Sequence, residues 1–415
     1  MKTSTDRRWL IVVGTIIVQM GLGTIYTWSL FNQPLVDHFG WKLNSVAFTF
    51  SITSLALALS TLFAGKLQDK WGIRRLIACA GMILGAGLII SSQVSSLWML
   101  YILAGVIVGA ADGTAYITSL SNLIKWFPER KGLISGISVG AYGTGSLIFK
   151  FINGSFIQSA GVTHAFFYWG LIVMIMIVGG SFLVREAKIS NESKVQNGIV
   201  QKDYTVKEML KTKEAYLLFV IFFTSCMSGL FLIGIVKDIG VKMAGLDIAT
   251  ASNAVALVAI FNTSGRIILG ALSDKIGRLR VVSGALLVTA SAVTVLSFVH
   301  LNYGLFFACV AAIAFCFGGN ITVFPAIVAD FFGLKNQSKN YGIIYQGFGI
   351  GAISGSFIAS SLGGFIPTFK LIAVLSIVSV IIAMLIKAPG NGTPKAKDKR
   401  NPGKIRSLSP DTRAS

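Results

Sequence analysis

The feature that most restricts this chain is a succession of apolar runs separated by short polar or charged breaks. They lie at residues 9–31, 45–64, 76–95, 98–124, 132–156, 164–184, 215–236, 250–271, 281–300, 305–329, 341–364 and 368–386. A helix rises 1.5 Å per residue, so about 20 residues cross the ~30 Å hydrocarbon core of a bilayer. Backbone N–H and C=O groups in lipid must be satisfied within the chain, and runs of this length do so as helices. The reading is an all-α membrane protein with twelve transmembrane helices. Composition agrees, with 54% hydrophobic and 13% charged residues, about half the charged share of a soluble protein. Lys2 to Arg8 lead into an apolar run too long for a signal-peptide core, so it is read as the first helix.

The formal net charge of +20 invites a nucleic-acid reading, which the placement of the charges excludes. With the N-terminus inside, 30 of the 36 Lys and Arg fall on the inner side. Lys42, Lys237, Lys242 and Lys370 fall outside, and Lys150 and Arg266 lie within spans. That bias orients a plasma-membrane (in a bacterium, inner-membrane) protein with both termini in the cytoplasm.

The chain divides into a six-helix bundle (1–184), a cytoplasmic linker (185–214) with a short surface helix at Tyr204–Leu210, a second six-helix bundle (215–387) and a basic, disordered tail (388–415). The bundles repeat each other. Gly65-Lys66-Leu67-Gln68-Asp69-Lys70-Trp71-Gly72-Ile73-Arg74-Arg75 matches Gly270-Ala271-Leu272-Ser273-Asp274-Lys275-Ile276-Gly277-Arg278-Leu279-Arg280 in Gly, Leu, Asp, Gly and the final Arg. A weaker echo pairs Tyr142-Gly143-Thr144-Gly145 with Phe348-Gly349-Ile350-Gly351. Parallel repeats around a central site are a transporter architecture. Asp69 and Asp274 stand where helices end, suited to accept backbone donors or pair with arginine. Together with Arg75 and Arg280 they are read as a cytoplasmic latch between the bundles; a merely basic, solvated turn is the alternative. Asp330, at the cytoplasmic end of span ten, is read as structural beside that latch.

The chain resembles the major facilitator superfamily, whose loop signature G-x-L-x-D-x-x-G-x-R-R is met by residues 65–75 and mostly by 270–280. Within it, the chain is similar to the oxalate:formate antiporter family of small-carboxylate carriers. That likeness rests on Tyr26-Thr27-Trp28-Ser29-Leu30, Lys125-Trp126-Phe127-Pro128-Glu129-Arg130-Lys131-Gly132, Gly265-Arg266, Gly318-Gly319 with Phe324-Pro325, and Asn340-Tyr341-Gly342. The resemblance implies two pseudosymmetric six-helix bundles and a dicarboxylate held by an Arg in span eight and a Lys in span eleven, within an aromatic cage. Arg266 falls on the arginine and Phe348 on the lysine. Tyr26, Tyr116 and Tyr345 fall on cage aromatics, the last on a Trp, and Phe317 falls on another Trp. With one cation missing, the expected substrate is a monocarboxylate such as pyruvate, lactate or formate. An oxalate/formate-type exchanger and a neutral sugar or drug carrier are the alternatives.

The residues carry their own reading. Arg266 is at mid-membrane, where a guanidinium needs a polar cavity or a partner, and its planar fork suits a carboxylate; a permanent salt bridge is the alternative. Lys150 lies in the outer half of span five, either snorkelling to the interface or lining the cavity in place of the missing cation. Asp112 is the deep acid of span four. It is the candidate for proton coupling, with Lys150 a possible partner across antiparallel spans, in a static or a protonatable pair. Tyr26, Trp28, Tyr116, Phe317 and Tyr345 are candidates for lining the substrate cavity, with packing or interface anchoring as the alternative. Cys79, Cys226, Cys309 and Cys316 lie in spans as small packing residues, and His38, His164 and His300 have no metal or triad spacing. No nucleotide-binding loop, paired acids or nucleophile–base pair is visible. The expectation is a monomeric secondary carrier in the lipid bilayer, not an enzyme, without cofactor or metal, running on protons or a counter-anion.

Overall fold

The computed structural model describes residues 4–187, 195–196, 199–200 and 202–389. The tail beyond Pro389 and the middle of the linker lie outside the described residues. Among the described residues eleven helices are long and apolar enough to cross a membrane. The 51-residue Lys131–Ser181 is one of the eleven but comprises two helices, broken where Gly161 takes φ +80, a conformation that disfavours any side chain. The count is therefore twelve.

The first is α1 (Ser4–Gly23), followed by a tightened turn at Thr24–Thr27 and a further helix, Ser29–Phe39. The turn has a local cause. The Thr24 and Thr27 hydroxyls donate backwards to Gly21 O (2.8 Å) and Thr24 O (2.7 Å), competing with the helical ladder. Then come α2 (Leu43–Trp71), α3 (Ile73–Ser91), α4 (Leu97–Trp126), α5 (131–160) and α6 (162–181). The second half holds α7 (Lys213–Lys242), α8 (Ile248–Ile276), α9 (Arg278–Phe298), α10 (Tyr303–Phe332), α11 (Gln337–Leu362) and α12 (Phe365–Leu385). The repeated motif is less of a loop than its sequence suggests. Its first seven residues are the last turns of α2 and α8, and only Gly72 (φ +73) and Gly277 (φ +101) turn the chain.

Within the first half α1 packs on α5 and α6, α3 on α6, and α2 on α4; within the second, α8 packs on α10, α9 on α12, and α7 on α11. The α2–α4 contact depends on the stripe Gly105, Gly109 and Gly113. A β-carbon at Gly109 would lie 2.3 Å from Thr53 O, and one at Gly113 2.1 Å from Leu57 O. Backbones meet this closely only over small residues.

Two seams join the halves, α2 with α11 and α5 with α8. Both are closed near the repeated motifs, hereafter the latch side. A β-carbon on Gly132 would strike Gly270 O at 2.3 Å, one on Gly342 Thr61 O at 2.3 Å, and one on Gly65 the Lys339 side chain at 2.6 Å. On the far side nothing lies within 4 Å of Gly154 on α5, and Val255 and Ala256 on α8 and Phe357 on α11 are exposed. Close cross-seam contacts of the latch-side kind are not found at these positions.

The linker carries a two-residue antiparallel ladder, Val195–Gln196 with Ile199–Val200, and a short helix, Val206–Met209, inside the stretch expected at Tyr204–Leu210. Backbone and side-chain hydrogen bonds from Thr205, with Lys202 nearby, hold the exposed Glu208 carboxyl down at about 2. Tyr204 is buried rather than at the surface. Its N–H donates to Phe332 O (2.9 Å), and Asn336 and Asn340 donate to its carbonyl.

Candidate anion site and latch

Arg266 projects from α8 at the α5–α8 seam and is 4% exposed. Its Nη1 donates to the Val139 carbonyl of α5 at 2.7 Å, and its Nε has no partner. Among the described residues no carboxylate pairs with it, so the salt-bridge alternative does not hold. The α5 backbone comes this near because it is bare. A β-carbon on Gly136 would lie 2.7 Å from Arg266 O, and one on Gly143 3.1 Å from Arg266 Nη1.

Around the guanidinium is a cavity of about 10 Å³, at the lower bound for one water. Tyr26, Tyr116, Tyr142 and Tyr345 line it with Arg266, and Val139, Ile321 and Phe348 complete the wall. The Tyr26 phenol lies beside the guanidinium. The rings touch in a chain. Tyr26–Tyr142, Tyr142–Tyr116 and Tyr116–Tyr345 centroids are each 5.4 Å apart, and Tyr345 stacks on Phe348 at 5.1 Å. The turn at Thr24–Thr27 is what brings Tyr26 to this cavity from the end of α1.

Asp112 is fully buried, and its carboxylate accepts from the Tyr142 hydroxyl at 3.3 and 3.4 Å. It does not meet Lys150. Eight residues separate Tyr142 from Lys150, about 12 Å of helix rise, and Lys150 is exposed. Two candidate aromatics also stay out of the cavity. Trp28 is buried in the first half among Phe31 (6.3 Å) and Phe166 (5.9 Å). Phe317 is pressed onto Gly229 of α7, where a β-carbon would lie 2.1 Å from its ring; Ile321, one turn on, takes the lining position.

Sequence reasoning missed Tyr142, Val139 and Ile321 as lining residues. A signal existed for the first, because the weaker repeat pairs Tyr142 with Phe348, and both line the cavity. At the same spacing Val139 pairs with Tyr345.

At the latch side, Asp274 accepts from the backbone N–H groups of Gly132 (2.9 Å) and Leu133 (2.8 Å), which open α5. It also pairs with Arg278 (2.8 Å). Arg278 continues to Asp330 (2.6 Å), which pairs with the buried Lys131 of α5 (2.6 Å). In the other seam Asp69 pairs with Lys339, and Ser338 donates to Gln68 (2.9 Å). The expected arginines do not cross. Arg280 reaches only Ile276 O of its own turn (3.4 Å), and Arg75 is exposed. Their place is taken by Arg278, Lys131 and Lys339, and Asp330, read as structural beside the latch, joins Arg278 to Lys131. The repeat hid Arg278 because its mate is Ile73, whose N–H is instead capped by Glu186 (3.0 Å).

Comparisons with known proteins agree with this architecture. The family model described as Major Facilitator Superfamily matches residues 11–241 and 218–413. The chain is 48% identical over 346 residues to the MFS-type transporter YhjX of Escherichia coli, covering 83% of this chain and 86% of that one. It is 29% identical to the oxalate:formate antiporter of Oxalobacter formigenes, over 94% of each chain. It is 22% identical to apicoplast pyruvate carrier 1 of Toxoplasma gondii, over 87% and 83%. Among solved structures the outward conformation of the transporter FucP shares the fold, with a TM-score of 0.70 at 13% identity over 90% of this chain and 97% of that one.

Proposed function

We propose a substrate and a mode of action for a chain that belongs to the major facilitator superfamily: it carries a small monocarboxylate, of the size of pyruvate, lactate or formate, by alternating access. It is a multi-pass membrane transporter and not an enzyme. The observation that carries the substrate reading is Arg266, a buried cation at the junction of the halves with an unpaired Nε and no carboxylate partner among the described residues. A buried charge is costly unless something completes it. A guanidinium edge fits a carboxylate bidentately, and the Tyr26 phenol supplies a further hydrogen bond.

A dicarboxylate is the second reading, favoured by the likeness to the oxalate:formate antiporter. Against it, the lining beside Tyr345 is Phe348, so the cavity offers one cation for one carboxylate. A neutral-solute carrier would leave Arg266 uncompensated. Energy would come from proton symport through Asp112 or from anion exchange, with both termini cytoplasmic in the plasma membrane. Counterflow of labelled pyruvate, lactate, formate and oxalate in proteoliposomes tests the assignment. Monocarboxylate exchange that disappears in Arg266→Ala supports it, and oxalate outcompeting all three would replace it with the second reading.

A further inference from the structure

The two seams are repeat mates, and one of the differences between them falls at Arg266. Gly136 against Arg266 O in the α5–α8 seam is mirrored by Gly342 against Thr61 O in the α2–α11 seam. Gly143 against Thr263 is mirrored by Gly349 against Ala58. Where one seam has the Thr61 hydroxyl, bonded to Ala58 O and Gly342 O, the other has the Arg266 guanidinium, bonded to Val139 O. The cation of the site is thus also a cross-seam contact.

Resting on the anion reading of Arg266, we propose that α5 is the seat of the anion site: the Val139 carbonyl and the bare backbone at Gly143 preset the guanidinium only while the α5–α8 seam is closed on the latch side. The chemistry of the fork supports this. With Nη1 held from behind by Val139 O, the edge formed by Nε and Nη2 is left for the substrate carboxylate, and Nε is unpaired. Holding a ligand group in its bound geometry removes part of the ordering cost of binding. Reorientation opens this seam on the latch side, and the guanidinium, on the other half, leaves the Val139 carbonyl behind. The carrier then binds tightly when it faces the far side and releases when it faces the latch side. By linkage, bound substrate favours the conformer in which this seam is closed on the latch side.

Gly143 is the positioning residue this requires. A methyl group there would lie 3.1 Å from Arg266 Nη1 and 2.9 Å from the Thr263 hydroxyl, displacing the fork without touching its charge. Gly140 is a matched control on the same helix, since its β-carbon would meet only Ile267, at 3.2 Å. In right-side-out and inverted vesicles, Gly143→Ala should raise the far-side KM for the transported carboxylate about tenfold, the scale of one hydrogen bond to a charged group. It should leave the latch-side KM and the kcat of exchange little changed, and Gly140→Ala should leave both KM values unchanged. An unaltered far-side KM in Gly143→Ala, or an equal loss in Gly140→Ala, overturns the proposal. If Gly143→Ala does not reach the membrane, the wild-type protein decides. Its far-side KM must be several-fold below its latch-side KM, and equal values overturn the seat. Should Arg266→Ala transport normally, the anion reading itself fails; should it be inactive while Gly143→Ala keeps its affinity, only the seat fails.

Discussion

Arg266 has a single carbonyl at one end of its guanidinium and an open edge at the other, so its work depends on shape as well as charge. Lysine keeps the charge but offers a point donor instead of a fork. Arg266→Lys should therefore lose at least tenfold in uptake at normal protein levels, measured with labelled carboxylate; full activity in Arg266→Ala would remove the residue from the site. Asp112 presents a different case. Its carboxylate is faced by the Tyr142 hydroxyl of α5, which in turn borders the cavity, with Tyr26 of α1 beside it. Protonating the carboxyl adds an O–H donor while leaving one acceptor oxygen, so the bond with Tyr142 can then run in either sense. Asp112→Asn, a fixed mimic of the protonated form, should abolish uptake driven by a proton gradient and spare substrate-for-substrate exchange. Equal loss of both modes would make Asp112 structural. The sequence located Arg266 and Asp112 because charge at mid-span is conspicuous. It could not assign their neighbours. Lys150 and Tyr142 sit on one helix within a few turns of each other, and only the docking of α5 on α4 decides which of them meets the acid.

At the scale of elements, the apolar runs predicted every span, because a bilayer fixes their length, but helix ends and breaks were less legible. The α1 turn at Thr24–Thr27 depends on two hydroxyls bonding backwards, and threonines inside an apolar run do not announce that choice. The motif Gly65–Arg75 reads as a loop because it is charged, yet it is helical to Trp71, since the charges stand where α2 emerges from the apolar zone. Packing was legible only as composition. The stripe Gly105, Gly109 and Gly113 has the spacing of close helix contact, and the α2 backbone confirms the contact in space. Gly109→Leu must push α4 off the Thr53 carbonyl. Overpacking of this kind costs about 1–3 kcal/mol, so the variant should melt several degrees lower in detergent. Gly179→Leu is the comparison, because nothing lies within 4 Å of Gly179 and its melting temperature should not move. Equal melting of the two would show that the α2–α4 contact is slack.

For the whole molecule, the question is what holds the halves shut on one side without holding them permanently. The repeated motifs were visible in the sequence, and a latch role was the expectation drawn from them, but the partners were not visible, because they come from helices distant in the chain. Asp274 caps the first turn of α5 with two backbone donors and ties in Arg278, Asp330 and Lys131. Asp69 has one ion pair, with Lys339, on a side chain 63% exposed. The two latches are therefore unequal. An exposed pair contributes about 0–1 kcal/mol, whereas a charged acceptor on two N–H groups contributes more. Neither aspartate touches the cavity, so removing one shifts the balance between conformers rather than the contacts to substrate. Exchange should slow in both Asp69→Ala and Asp274→Ala, and by more in Asp274→Ala. Substrate affinity should stay within a few-fold, the change set by the lost fraction of the competent conformer. Asp330→Asn, which weakens Lys131 and Arg278 together, should behave like Asp274→Ala. The measurement is exchange rate and equilibrium binding on the same proteoliposomes. A large fall in affinity with unchanged turnover would place these aspartates in the binding site after all, and equal slowing in the two single variants would mean that the α2–α11 seam bears as much of the closure as the α5–α8 seam.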